Sequence, residues 1–215
     1  MKKSLKFATI ALAGLLGILL NGCIPSIYPL YTADKLVMLT GLPGKWQQDK
    51  GQAPQNGDTK KPETWTFRQG EGKNYLLIHE DEDGYFAAFD VHVVKLGDHY
   101  FMDFYPDDMP DEKTTGIGSM LGNPQELNSF MKIHLLAVHT FAKVELSGNV
   151  LKISMFDPEF LEKLLERQQI RIKHEKTEGG YVLTASSEDL QKFVGKYATE
   201  KSAFLDDPVV LNLKK

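Results

Sequence analysis

The chain has 215 residues, 29 acidic against 25 basic, with a net charge of −4. That length suits one well-packed domain, and that charge excludes the concentrated positive surface of a nucleic-acid binder. A single cysteine, Cys23, excludes an internal disulfide and a zinc–thiolate site.

The chain starts Met1-Lys2-Lys3-Ser4-Leu5-Lys6, a short basic stretch, and continues with an apolar run over 7–20. At about 1.5 Å per residue this run makes a helix of roughly 21 Å, short of a hydrocarbon core of about 30 Å. Basic flank, short apolar core and small residues at its end predict a secretory signal peptide over 1–22. Its last residues with the cysteine, Leu20-Asn21-Gly22-Cys23, resemble the lipobox of bacterial lipoproteins. The resemblance implies a diacylglyceryl group on the Cys23 thiol, cleavage before Cys23 and acylation of the new amino group. Several acyl chains make a stable anchor, where one binds only marginally. Cleavage would remove Lys2, Lys3 and Lys6 and no acid, leaving a more acidic mature chain. Ile24 stands where an aspartate would retain a Gram-negative lipoprotein in the inner membrane, so the resemblance implies the outer membrane.

The next residues, Ile24-Pro25-Ser26-Ile27-Tyr28-Pro29-Leu30-Tyr31, are apolar with two prolines, unlike the Gly- and Ser-rich composition of a flexible tether. Residues 23–42 are therefore expected as an anchor and membrane-proximal segment lying against the domain or the bilayer.

From Gly44 onward the main signal is period-two alternation between turn residues. Residues 64–67 alternate, 69–72 turn, and 75–79 form the next strand. Asp81-Glu82-Asp83-Gly84 ends in the Asp-Gly pair that suits a hairpin. Strands follow over 85–96 and 99–105, separated by Gly97-Asp98. The stretch 106–125 lacks periodicity and predicts a long loop, a kind of segment that is often functional. Strands return over 134–146 and 150–156. Asp157 and Pro158 are an N-cap and first helical residue, with Phe160, Leu161, Leu164 and Leu165 as the apolar stripe. A hairpin over 170–176 and 181–184 comes next. Ser186-Ser187-Glu188-Asp189 resembles a capping box opening a helix whose buried face is Leu190, Phe193, Val194 and Tyr197. Residues 201–215 are expected as a frayed tail, with an edge strand through Val209, Leu211 and Leu213 as the alternative.

Consecutive strands with short hairpins and no βαβ alternation predict a mainly β fold over 43–200. The expected form is an antiparallel up-and-down meander closing into a barrel with two short late helices; the alternative is a curved open antiparallel sheet. Gly44-Lys45-Trp46 at the start of the meander resembles the Gly-x-Trp opening of lipocalins. In that family the tryptophan packs across the closed end against an arginine of a late strand, which implies structural roles for Gly44, Trp46 and Arg171. The chain is also similar to a group of uncharacterised bacterial lipoproteins with a lipocalin-like domain. That similarity runs through Ile24 to Thr32, Gly44-Lys45-Trp46, Glu63-Thr64-Trp65-Thr66-Phe67, His134 to Phe141 and Leu183-Thr184-Ala185-Ser186. It implies a secreted, lipid-anchored domain and no particular reaction.

The spacing of reactive residues argues against catalysis. His79, His92 and His99 fall on neighbouring expected strands, but no His-x-His or His-Glu-x-x-His occurs, and no metal or cofactor is expected. On one strand, His134 and His139 would point to opposite faces. The run from His79 to Gly84 has a histidine where a calcium loop needs its first acid, and reads as a charged turn. Neither Gly-x-Ser-x-Gly nor Ser-x-x-Lys occurs. Gly116 to Gly122 is glycine-rich without the Lys-Ser/Thr ending of a phosphate loop. Asp90 and Asp103, on adjacent strands, are a candidate carboxylate pair. Trp65, Phe67, Phe86, Phe89, Phe101 and Phe104 are expected to fill a core before lining a cavity. The resulting expectation is a non-enzymatic, lipid-anchored envelope protein that contacts the membrane through acylated Cys23, binds no nucleic acid and takes a small apolar ligand. The alternatives are an interaction subunit of an envelope complex and an envelope hydrolase.

Overall fold

The computed structural model describes residues 23–48, 62–107 and 136–214. The predicted signal peptide, most of the 106–125 loop, His134 and the glycine-rich 116–122 stretch lie outside them.

Eight strands close into an antiparallel barrel: β1 (Gly44–Gln48), β2 (Thr64–Gln69), β3 (Tyr75–Glu80), β4 (Phe86–Leu96), β5 (His99–Asp107), β6 (Thr140–Ser147), β7 (Val150–Met155) and β10 (Val209–Lys214). Strands β1 to β7 run in sequence order, and β10 closes the ring between β7 and β1. The fold is thus a lipocalin-like barrel, and the open-sheet alternative is excluded. Between β7 and β10 come α1 (Pro158–Glu166), a separate hairpin of β8 (His174–Thr177) and β9 (Gly180–Leu183), and α2 (Ser187–Lys196). Both helices start as their sequences dictate. Asp157 accepts from the Glu159 N–H and Ser186 from the Asp189 N–H, each satisfying an otherwise orphaned donor of the first turn.

Two expectations need correction. Residues 201–215 are not a frayed tail, since β10 pairs with β1 from Lys45↔Lys214 to Gln48↔Leu211 and with β7 from Val209↔Ile153 to Asn212↔Val150. The closing strand is this one, and the 170–184 hairpin lies outside the barrel. Arg171 is likewise not the partner of Trp46. The chain leaves the sheet after α1, Ile172 packs into a core outside the barrel, and Arg171 is exposed. The Trp46 indole N–H instead donates to the Leu42 carbonyl at 2.8 Å.

Side chains alternate between two cores on opposite faces of one sheet. Inside the barrel lie Trp46, Phe67, Tyr75, Leu77, Val91, Val93, Met102, Leu151, Ile153 and Leu211. On the outer face, Val94, Phe101, Phe141 and Phe156 meet Leu161 of α1, Leu183 of β9, and Leu190, Phe193 and Val194 of α2. This explains why Phe101, Met102, Asp103 and Phe104 of β5 are all buried: each face of the strand has its own cover.

The segment 23–43 supplies part of both cores and is termed the collar. It begins outside the barrel with Ile24 and Leu30 and pairs Leu36 with Val94 of β4. It then passes beneath the barrel, where the Tyr75 hydroxyl meets the Leu39 backbone and Leu42 receives the Trp46 bond. The β2–β3, β4–β5 and β6–β7 turns lie at this floor. The β3–β4 turn, the last residues of β1, β5 and β7 and the first residues of β2, β6 and β10 lie at the opposite end. Gly44 makes the bend from floor to wall at φ +145°, and a Cβ there would stand 2.7 Å from Leu213 Cδ1.

Trp46→Ala is expected to lower stability by about 3–5 kcal/mol, because the floor has no side chain free to refill the space. Ending the chain before Val209 is expected to abolish cooperative unfolding altogether. Urea denaturation followed by circular dichroism checks both.

Candidate functional site

Two polar clusters interrupt the apolar packing. The first lies on the outer face beneath the collar. Asp103 of β5 is completely buried. One carboxylate oxygen, Oδ1, takes Nδ1 of His139 at 2.7 Å, and Oδ2 takes the Leu30 N–H of the collar at 2.5 Å. The backbone of His139 in turn pairs with Ser26 through both N–H···O bonds at 2.8 Å, and Ser26 also bridges to Leu183 of β9. Three aromatic rings close over the pair. Tyr31 stacks on His92 at 3.8 Å with an interplanar angle of 16°, Tyr31 meets His139 edge-on at 6.4 Å, and Tyr105 lies 4.5 Å from His139.

The electrostatics follow from burial. Desolvation pushes the Tyr31 phenol up, helped by the negative charges of Asp103 and Asp90. Desolvation pushes His92 down, only partly offset by the same two carboxylates. Asp90 and Asp103 share this face but do not form the expected carboxylate pair. His92 stands across the ladder from Asp103, while Asp90 accepts from the Asn74 amide at 2.8 Å and lies 3.5 Å from His92 Nδ1. A buried carboxylate orienting an imidazole is also the geometry of a general-base dyad. The hydroxyl brought nearest by backbone pairing, on Ser26, is committed to the Tyr28 carbonyl at 2.8 Å. The cluster therefore acts as a fastening. Ser187 and Gln191 of α2 complete it by donating to the carbonyls of Pro29 and Leu30.

The second cluster lies inside the barrel at the end opposite the floor. Glu63, Trp65 and Phe67 share the inward parity of β2, and Trp65 faces His79 of β3 across the ladder. Oε1 of Glu63 takes both the Trp65 indole N–H at 2.9 Å and Nε2 of His79 at 2.5 Å. Burial opposes ionisation of Glu63, yet the hydrogen bonds from His79 and Trp65 prevail and hold its carboxyl below the usual range. Phe104 meets Trp65 edge-on at 6.0 Å and Phe89 edge-on at 6.5 Å. Below this ring the barrel is filled. Trp46, Tyr75, Val91, Val93, Met102, Leu151, Ile153 and Leu211 have no surface that water can reach, so no cavity borders them.

The remaining expected features occupy simpler roles. Cys23 is exposed at the start of the collar. The carboxylate of Asp81 accepts the N–H groups of Asp83 and Tyr85, so the acidic run is an Asx-stabilised hairpin turn. Phe86 is 37% exposed, while Phe101 belongs to the outer core. An open groove of about 670 Å³ lies between α2 and the β4–β5 turn, bordered by Lys35, Lys95, Asp98, Glu188 and Lys192. Among the described residues, no three His, Cys, Asp or Glu side chains converge as metal ligands. Comparison with models of protein families, with curated proteins and with solved structures gave no match for this chain.

Asp103→Ala is expected to cost about 3 kcal/mol or more, since it leaves the Leu30 N–H and His139 buried without their acceptor. Denaturation measures that loss, and faster proteolysis within the collar locates it. A second expectation concerns acid. A carboxyl depressed in the folded state stabilises the fold fully above its unfolded pKa of about 4.3, and the benefit fades as pH falls through the folded value. Thermal melts between pH 3 and pH 7 should therefore fall more steeply for the native chain than for Glu63→Gln; parallel curves would refute this role for Glu63.

Proposed function

We propose that this chain is a lipid-anchored protein of the bacterial cell envelope, at the outer membrane, that binds a small apolar ligand at the end of its barrel opposite the floor and performs no reaction. The observation that carries the anchoring reading is the construction of the collar. Ile24 is buried only one residue after exposed Cys23, and Ser26 is already paired with His139 and with Leu183 of β9. Three residues span at most about 11 Å, so acyl chains on Cys23 would hold the domain directly against the bilayer without a tether. Such a collar suits a protein whose orientation at the membrane matters. The ligand reading draws support from Trp65 and Phe89, half-buried among the described residues at the end of the barrel opposite the floor.

A second reading, an interaction subunit of an envelope complex, is favoured by the groove between α2 and the β4–β5 turn. Its mixture of lysines and acids suits a polar protein surface. Site-specific cross-linking from Lys192 in intact membranes distinguishes this reading by trapping one defined partner.

Intact-mass measurement of the protein extracted from its own membrane is expected to show a chain beginning at Cys23 with added acyl mass. Cys23→Ser is expected to remain uncleaved and unacylated. Normal acylation in that variant, or an unmodified Cys23 in the native protein, would overturn the anchoring reading.

A further inference from the structure

The β8–β9 hairpin is joined to the barrel through the collar. The Ile27 N–H donates to the Leu183 carbonyl and the Leu183 N–H to the Pro25 carbonyl, both at 2.9 Å, so the collar runs parallel to β9 with Ser26 level with Leu183. In that register Ile24 falls level with Tyr181, and Cys23 with Gly180, the first residue of β9. Burial agrees with the register, because Ile24 and Leu183 belong to one core and Tyr181 packs against it. Exposed Cys23 therefore stands beside the hairpin turn at Glu178 and Gly179, and a surface that holds Cys23 meets that turn as well. The side chains there suit lipid headgroups. Lys176 pairs across the hairpin with Tyr181, its ammonium 5.1 Å from the ring centroid, and His174 meets the same ring edge-on at 5.2 Å. Glu175 lies on the other face of the strand. Tyrosine and lysine each present an apolar body with a polar tip, the character that seats a side chain at a membrane–water boundary. Glu178 makes the turn itself polar and exposed, which sets the depth among headgroups, above the acyl chains.

We propose that the turn of the β8–β9 hairpin is a second membrane contact, seated among phospholipid headgroups with Lys176 toward their phosphates. The inference rests on the anchoring reading above and specifies the orientation that anchoring imposes. A domain held at one residue is free to tilt about it. A covalent anchor and a docked turn together remove that freedom and lay the hairpin side of the domain on the bilayer. A lysine near an anionic lipid surface is drawn to it, and salt screens the attraction.

The chain has one cysteine, and a lipid on Cys23 consumes its thiol, so an introduced cysteine becomes the sole labelling site. Gly179→Cys has room, since the nearest atom to a Cβ there is Thr177 Oγ1 at 3.8 Å. Asp83→Cys on the β3–β4 turn and Asp98→Cys on the β4–β5 turn mark the two ends of the barrel. Each variant is extracted from its own membrane and labelled with a nitrobenzoxadiazole maleimide. It is then reconstituted into vesicles of phosphatidylethanolamine and phosphatidylglycerol that contain a lipid with a nitroxide on its headgroup or deep in its acyl chain. The headgroup nitroxide is expected to quench the label on Gly179→Cys several-fold more strongly than the labels on Asp83→Cys and Asp98→Cys, and more strongly than the deep nitroxide does. Lys176→Glu, added to Gly179→Cys, is expected to weaken that quenching. Equal quenching of the three labels, with acyl mass present on Cys23, would overturn the hairpin contact and leave the anchoring reading standing. An unmodified Cys23 thiol would overturn both. Quenching unchanged by Lys176→Glu would overturn the role given to Lys176.

Discussion

The carboxylate of Asp103 is the point at which the separate parts of this fold are fastened. It sits on β5, a strand of the barrel covered on both faces, and accepts from the side chain of His139, just before β6, with one oxygen and from a peptide N–H of the collar with the other. Burying a charge costs several kcal/mol unless its partners are well placed, so the site tolerates little displacement of Leu30 or His139. The consequence is specificity. The two directional bonds of Asp103 fix the register of the collar at Leu30, between the backbone pairs that hold it at Ser26 and Leu36. Stacking of Tyr31 on His92 fixes the same register one residue later.

That fastening permits the unusual economy of β4 and β5. In a lone antiparallel barrel the outer face would be polar, and these strands would alternate strictly. Here the collar, α1, α2 and the β8–β9 hairpin cover the outside, and both parities become apolar. The sequence run Phe101-Met102-Asp103-Phe104 reads as a strand with two buried faces, and its one charged residue is the one that ties the cover down.

Local features were legible and distant ones were not, for physical reasons. Hairpin turns, helix caps and the Gly44-Lys45-Trp46 entry each depend on neighbouring residues, and the structure places them as their chemistry requires. The two-residue turn at Gly97-Asp98 even sets His92 opposite Asp103, and the turn before Asn74 sets Trp65 opposite His79. Counting outward from those turns brings His92 to Asp103 and His79 to Trp65, but not His139 to Asp103. What no local signal contains is the docking of Leu30 onto a residue 73 positions away, or the choice of Val209 to Lys214 over the 170–184 hairpin as the closing strand. Both segments have suitable alternation, and closure selects the one whose length and register match β1 and β7 together. Arg171 was misplaced for the same reason, because its role presumed that the earlier hairpin closed the ring.

The collar also joins the exposed Cys23 and the floor in one continuous segment. It starts at Cys23, is pinned at Ser26, Leu30 and Leu36, and ends by sealing the barrel beneath Trp46. A force applied at Cys23 therefore reaches the backbone pairs of Ser26 with His139 and Leu183 before it reaches any strand of the barrel. The collar is thus held twice over, by the directional bonds of Asp103 and by the backbone pairs that flank them at Ser26 and Leu36.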